Sequence, residues 1–216
     1  MKYFNKIKVI SAILLSFTFI SCASAPMNLQ AAKKIVADYY ESDKYSSALK
    51  NIIADAENDI SKLDIHKNST VVFDVDETSL SNYESIKKIY FGYDPVKWDN
   101  WIYEAKAPAI LEVKQFYDFL ITKKIKVIFL SSRKSSQYEA TYRNLTNAGY
   151  LEFDTLILKS NSDSSHTSLA FKSNQRELLT QMGYEIIADI GDQKSDLEGN
   201  DHGIQIKLPN YIYIIE

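Results

Sequence analysis

Five short apolar runs, separated by stretches of helical periodicity, leave this chain few ways to fold. Thr70, Val71, Val72 and Phe73 are apolar or β-branched on successive residues, so a strand made of them is buried on both faces, as in the interior of a parallel sheet. Residues 126–130, 155–158, 185–190 and 203–207 have the same character. Between the first two runs, Leu111, Val113, Phe116, Tyr117, Phe119 and Leu120 follow a helical pattern; residues 137–148 and 173–182 do so later, closed by Gly149 and Gly183 where a left-handed cap belongs. Strands alternating with helices imply right-handed crossovers, hence an α/β fold with a Rossmann-like parallel sheet covered by helices on both faces. In such a sheet the ligand crevice opens at the C-terminal strand tips.

Three segments stand apart from the alternation. Residues 27–65 read as a leading helical segment, with Leu49, Ile52, Ile53, Ala56, Ile60 and Leu63 spaced by three and four along one stripe. Residues 80–108 carry Tyr83, Tyr90, Phe91, Tyr93, Trp98, Trp101 and Tyr103 and read as an insertion over the crevice. Residues 161–168 are polar throughout and read as a flexible surface loop. No internal repeat is visible.

The N-terminus has its own logic. Lys2, Lys6 and Lys8 precede an uncharged run, 9–20, that is too short to span a bilayer and of the length of an export signal's apolar core. The sole cysteine, Cys22, follows Ser21, and the stretch resembles the lipobox of bacterial lipoproteins, with Phe19 in place of the usual Leu. Cleavage after Ala25 and a plain apolar role for Cys22 are the competing readings, the first opposed by Pro26. The organisation expected is therefore a signal at 1–21, a helical segment at 22–66, and a core at 67–216 with its insertion. Loss of the three lysines of the signal takes the net charge from −3 to −6, and lipidation of Cys22 leaves no thiol, so the domain relies on its apolar core rather than on disulfides. An acidic chain lacks the basic face a nucleic-acid polymer requires, which excludes that partner. Lipidation implies an exported protein anchored in a membrane, at the outer membrane or cell surface.

The strand ends carry the chemistry. Asp74 and Asp76 follow the first run, and two aspartates so spaced on an irregular strand end can converge on one cation or one phosphoryl group; beside an apolar core they need a compensating charge. Calcium loops and helix N-caps also use closely spaced acids. Ser131 ends the second run, Lys172 lies at an expected helix start, and Asp192 and Asp196 follow the fourth run. Each has an ordinary structural alternative, as a cap, a solvated ammonium or a turn residue. Together they put acids, a hydroxyl and an ammonium at one edge of the sheet.

FDVDETSLSN, VIFLSSR, FKSNQR and IADIGDQKSDLEG resemble, in order, the four motifs of the haloacid dehalogenase superfamily. The match is to subfamily IIIB, which holds bacterial class C lipoprotein acid phosphatases and plant acid phosphatases related to vegetative storage proteins, and it covers residues 67–206. The resemblance implies an exported phosphomonoesterase acting on small phosphate esters. Asp74 would be the nucleophile and Asp76 the general acid and base. Mg²⁺ would be held by Asp74, Asp76 through its backbone carbonyl, Asp192 and Asp196, with Ser131 and Lys172 on the phosphoryl oxygens. Thr78 would orient the loop and border the substrate; Arg133 is a substrate contact or a structural arginine. Tyr83, Trp98 and Trp101 are candidates for stacking on an aromatic leaving group or the base of a nucleoside 5′-monophosphate, Trp101 ahead of Trp98, or else form the insertion's own small core. Where class C members carry an acid after the first motif, Ser79, Leu80, Ser81 and Asn82 read more like the plant branch. Transfer to an acceptor other than water, and a non-catalytic surface or storage lipoprotein, are the competing functions.

Overall fold

The computed structural model describes residues 26–163 and 165–215, so the signal segment and Cys22 lie outside the described residues. Five strands, β1 (Ser69–Phe73), β2 (Lys126–Lys134), β3 (Thr155–Lys159), β4 (Glu185–Gly191) and β5 (Ile204–Lys207), form one sheet in the order β3-β2-β1-β4-β5, with every pairing parallel. Alternation within the strands explains the layering. Val71, Phe73, Val127 and Phe129 feed one apolar cluster, whereas Val72, Ile128 and Leu130 feed another on the opposite face. Helices α2 (Asp43–Ile60), α5 (Leu111–Thr122) and α6 (Tyr138–Asn147) contribute to the first cluster, and α7 (Ser168–Gln181) covers the second through Phe171 and Leu179. The crossovers carrying α5 and α6 run outward from β1; the one carrying α7 returns past β1 to β4, and its helix lies on the other face. The sheet order therefore reverses at β1, the position where an open α/β sheet forms its crevice.

The leading helical segment comprises two helices. Asn28 caps α1 (Leu29–Tyr40) through Gln30 N (2.9 Å), and Ser42 caps α2. Leu49, Ile53, Ala56 and Ile60 are buried, as the three-and-four spacing requires. The insertion also folds into two helices, α3 (Tyr83–Lys88) and α4 (Pro95–Glu104), the second started by Asp94 as N-cap with Pro95 in the first turn. Two boundaries differ from expectation. Helix α7 begins at Ser168 instead of Ser173, because the Thr167 hydroxyl accepts from Ala170 N (3.1 Å), so Lys172 stands one turn inside the helix. Thr167 thus anchors a helix, and the Ser160 N–H and hydroxyl both donate to Asp163 (3.2 and 2.5 Å); residues 161–163 form a tight turn rather than a loose loop.

Candidate active site

The tips of β1, β2 and β4, with the start of α7, border a crevice of about 520 Å³. Asp74 leaves β1 with its N–H donating to Ile190 O of β4 (2.9 Å) and its carbonyl accepting from the Ser79 hydroxyl (2.6 Å), so its backbone is fixed from both sides. Glu77 then takes a φ of 54° and donates its N–H to Leu80 O (2.9 Å), closing a sharp turn after Asp76. On β4, Gly191 is required by close approach: a Cβ there would collide with the Asp196 side chain.

Asp74, Asp192 and Asp196 each offer a carboxylate oxygen within 4.8 Å of the others, and all three are buried. The Lys172 ammonium donates to Asp74 (2.5 Å) and Asp196 (2.6 Å). Asp196 also accepts from Gln193 N (2.8 Å), and Asp192 accepts from the Thr78 hydroxyl (3.2 Å), Gln193 Nε2 (2.5 Å) and Asn210 Nδ2 (2.6 Å). Burial, reinforced by Asp196, holds the Asp74 carboxyl well above the usual carboxylate range although Lys172 pulls it back, and burial with Asp196 pushes Asp192 up to about 7. Burial disfavours the Lys172 charge, yet Asp196 and Asp74 together hold its pKa above the ordinary lysine value. Three buried acids against one ammonium leave an excess of acidic groups at the site. An all-oxygen donor set with that excess suits a hard divalent cation.

Asp76 faces the same crevice. Arg133 donates to its carboxylate from Nε (3.0 and 3.2 Å) and Nη2 (2.7 Å), and Asn82 Nδ2 adds a fourth hydrogen bond (2.8 Å). The remaining Arg133 nitrogen donates to the Thr141 hydroxyl (3.1 Å), so Arg133 lines the crevice with its fork committed to Asp76 and α6. Ser131 lines it too, its hydroxyl accepting from Arg133 N (3.2 Å). Ser132, which sequence reasoning passed over, presents a solvent-shielded hydroxyl on the same wall, without a hydrogen-bond partner among the described residues.

Of the candidate substrate contacts, Trp98 and Arg133 border the crevice; Tyr83, Trp101 and Thr78 do not. Tyr83 stacks on Tyr40 with ring centroids 5.1 Å apart and donates its hydroxyl to Glu41 (2.6 Å), tying the insertion to α1. Trp101 packs on the main core and donates Nε1 to Asn82 (2.8 Å), the residue that also holds Asp76. Thr78 is fully buried behind Asp192. Trp98 rather than Trp101, the residue ranked first from the sequence, stands on the crevice wall, because α4 turns Trp101 inward onto the core.

Segment 210–215 was also missed. Asn210 reaches Asp192, the Tyr213 hydroxyl donates to Glu77, Gln193 Nε2 donates to Tyr213 O (3.4 Å), and Ile215 N donates to Gln193 Oε1 (2.9 Å). The buried Glu77, beside Asp76, is pushed up to about 7. A lone asparagine after Pro209 in an otherwise apolar tail was the available signal.

Comparison with known proteins places these features in context. The family model described as HAD superfamily, subfamily IIIB (Acid phosphatase) matches residues 15–216. Stem 28 kDa glycoprotein of Glycine max is 36% identical over 185 residues, spanning 83% of this chain and 73% of the glycoprotein. Acid phosphatase 1 of Solanum lycopersicum is 34% identical over 148 residues, 67% of this chain and 58% of the relative. The class C acid phosphatase from Bacillus anthracis shares the fold, with a TM-score of 0.71 over 86% of both chains at 21% identity.

Proposed function

Because the chain belongs to subfamily IIIB of the HAD superfamily, the acid phosphatases, we propose that it hydrolyses phosphomonoesters through a phosphoryl group carried on Asp74, with Mg²⁺ as cofactor. One observation carries the reading: Asp74, Asp192, Asp196 and Lys172 converge in a single crevice, drawn from the ends of β1 and β4 and from α7. A carboxylate nucleophile divides a slow hydrolysis into two displacements. In the first, an Asp74 oxygen bonds to phosphorus as the bond to the leaving oxygen breaks; in the second, water displaces Asp74 and releases phosphate. Lys172, with the Ser131 and Ser132 hydroxyls, takes up charge on the phosphoryl oxygens and lowers the repulsion between Asp74 and the incoming dianion. Asp76, steadied by Arg133 and Asn82, gives a proton to the departing alkoxide and later takes one from the attacking water. Asp74, the Asp76 carbonyl, Asp192 and Asp196 would hold the magnesium ion, which when bound supplies positive charge against the developing charge on the phosphoryl group.

A panel of phosphomonoesters assayed with Mg²⁺ and with chelator tests the reading; nucleoside 5′-monophosphates belong in it because Trp98, on the crevice wall, offers a ring to a flat base. Hydrolysis that is lost on chelation and restored by Mg²⁺ is the expected result. Turnover indifferent to chelation contradicts the metal, and absence of turnover on every ester contradicts the activity.

Export and anchoring through a lipid on Cys22 belong to the same proposal, supported by Lys2, Lys6, Lys8, the apolar run behind them and Ser21. Among the described residues no helix is long and apolar enough to cross a membrane. Phosphate esters cross membranes poorly, so dephosphorylation outside the cell frees the organic part for uptake. Cys22→Ala is expected to move the protein from the membrane to the soluble fraction; unchanged fractionation contradicts lipidation.

A further inference from the structure

Segment 210–215 gives the crevice an apolar wall that the four motifs do not provide. Ile212, Ile214 and Ile215 border the same crevice as Asp74, together with Ile89, Phe91 and Trp98 from the insertion. Ile214 is 83% exposed and Ile215 42%, an unfavourable way to hold isoleucines unless something apolar covers them. They are not held loosely. Asn210 accepts from Ile212 N (2.7 Å) while donating to Asp192, Tyr211 N donates to the Tyr40 hydroxyl (3.2 Å), the Tyr213 side chain is tied to Glu77, and Gln193 brackets Tyr213 and Ile215. The charged side chains that the insertion adds to the lining, Asp94 and Lys97, lie 3.9 Å apart and partly cancel each other. The crevice therefore has a charged floor at the strand tips and an apolar flank with little net charge.

We infer that Ile212, Ile214 and Ile215, fixed by Tyr213 and Gln193, form the leaving-group subsite, and that it selects phosphomonoesters whose organic part is flat and apolar over those of small or polyhydroxylated alcohols. The inference rests on the phosphatase reading and names the substrate class for that site. The phosphoryl group meets the Asp74 end, and the departing aryl group leaves its water shell against the isoleucines. Binding energy from this flank is uniform between ground and transition states, so it acts on KM more than on kcat.

The test compares the native chain with the double variant Ile214→Ser, Ile215→Ser on 1-naphthyl phosphate and ethyl phosphate in Mg²⁺. Both positions are exposed enough for the fold to tolerate serine. The native chain is expected to show the lower KM for the naphthyl ester. The variant should raise that KM roughly fivefold or more, with kcat and the ethyl phosphate constants changed less than about twofold. Equal shifts on both esters, or an unchanged naphthyl KM, overturn the subsite while leaving the phosphatase reading intact. Hydrolysis of neither ester by the native chain overturns both. Tyr213→Phe supplies a second arm: release of the tie to Glu77 is expected to raise the naphthyl KM selectively, and a fall in kcat on both esters alike would instead assign Tyr213 to support of the Asp76 loop.

Discussion

The side chains at the site divide into those that act and those that hold them. Asp74→Asn keeps the shape of the nucleophile and removes its charge. Turnover should fall by roughly 10⁴-fold or more while the circular dichroism spectrum and Tm stay near native, since the substitution also relieves crowding among buried acids. Asn210→Ala leaves every candidate metal ligand in place but removes a 2.6 Å hydrogen bond to Asp192. Its expected effect is a roughly tenfold or greater rise in the Mg²⁺ dissociation constant, measured by calorimetry, by analogy with other residues that orient metal-binding side chains. Unaltered affinity would remove Asn210 from the site. The acids and Ser131 could be read from the chain because each lies at or just beyond an apolar strand, and Lys172 because it lies beside the expected start of a helix, which in the structure begins a turn earlier. Asn210 could not, because its contact with Asp192 depends on where a tail of no regular structure folds.

Elements are placed by alternation, and the sheet shows both its power and its limit. The apolar runs located all five strands because both faces of each central strand are buried. Phe129→Ala should cost about 3–5 kcal/mol, since Phe129 is fully buried and packs on Phe73, Tyr150 and Phe153; chemical denaturation checks this, and a loss under about 1 kcal/mol would mean the sheet face collapses around the gap. The reading was weaker where polar residues do structural work. Thr167 starts α7 from inside a polar run, and β2 continues through Ser131, Ser132 and Arg133 to Lys134 although its apolar part ends at Leu130. On β4, Asp189 is buried 3.8 Å from Arg176, one of its oxygens has no hydrogen-bond partner among the described residues, and burial pushes its carboxyl up to about 6 against the pull of Arg176. The folded chain therefore keeps a proton between pH 4 and 6 that the unfolded chain has lost, so this residue's contribution to stability falls as pH rises through that window. Asp189→Asn should flatten the decline in urea midpoint between pH 4 and 6.5; an unchanged slope would assign it elsewhere.

At the scale of the whole molecule, a parallel sheet gathers residues separated by more than a hundred positions at one edge, and three outlying pieces finish the crevice. Helices α3 and α4 supply one flank, segment 210–215 another, and α1 braces the insertion through Tyr40, Glu41 and Tyr83. Fold and charged floor were legible because they follow from strand ends. The flanks were not, because the inward or outward turn of Trp98, Trp101 and Tyr83 is decided by packing between elements. The most direct measurement of the central claim is acid-quenched mass spectrometry of the purified protein during turnover of a phosphomonoester in Mg²⁺. A phosphoryl adduct on the peptide containing Asp74, absent from Asp74→Asn, is the predicted result; steady turnover with the adduct on another residue, or with Asp74→Asn as active as the native chain, would contradict it.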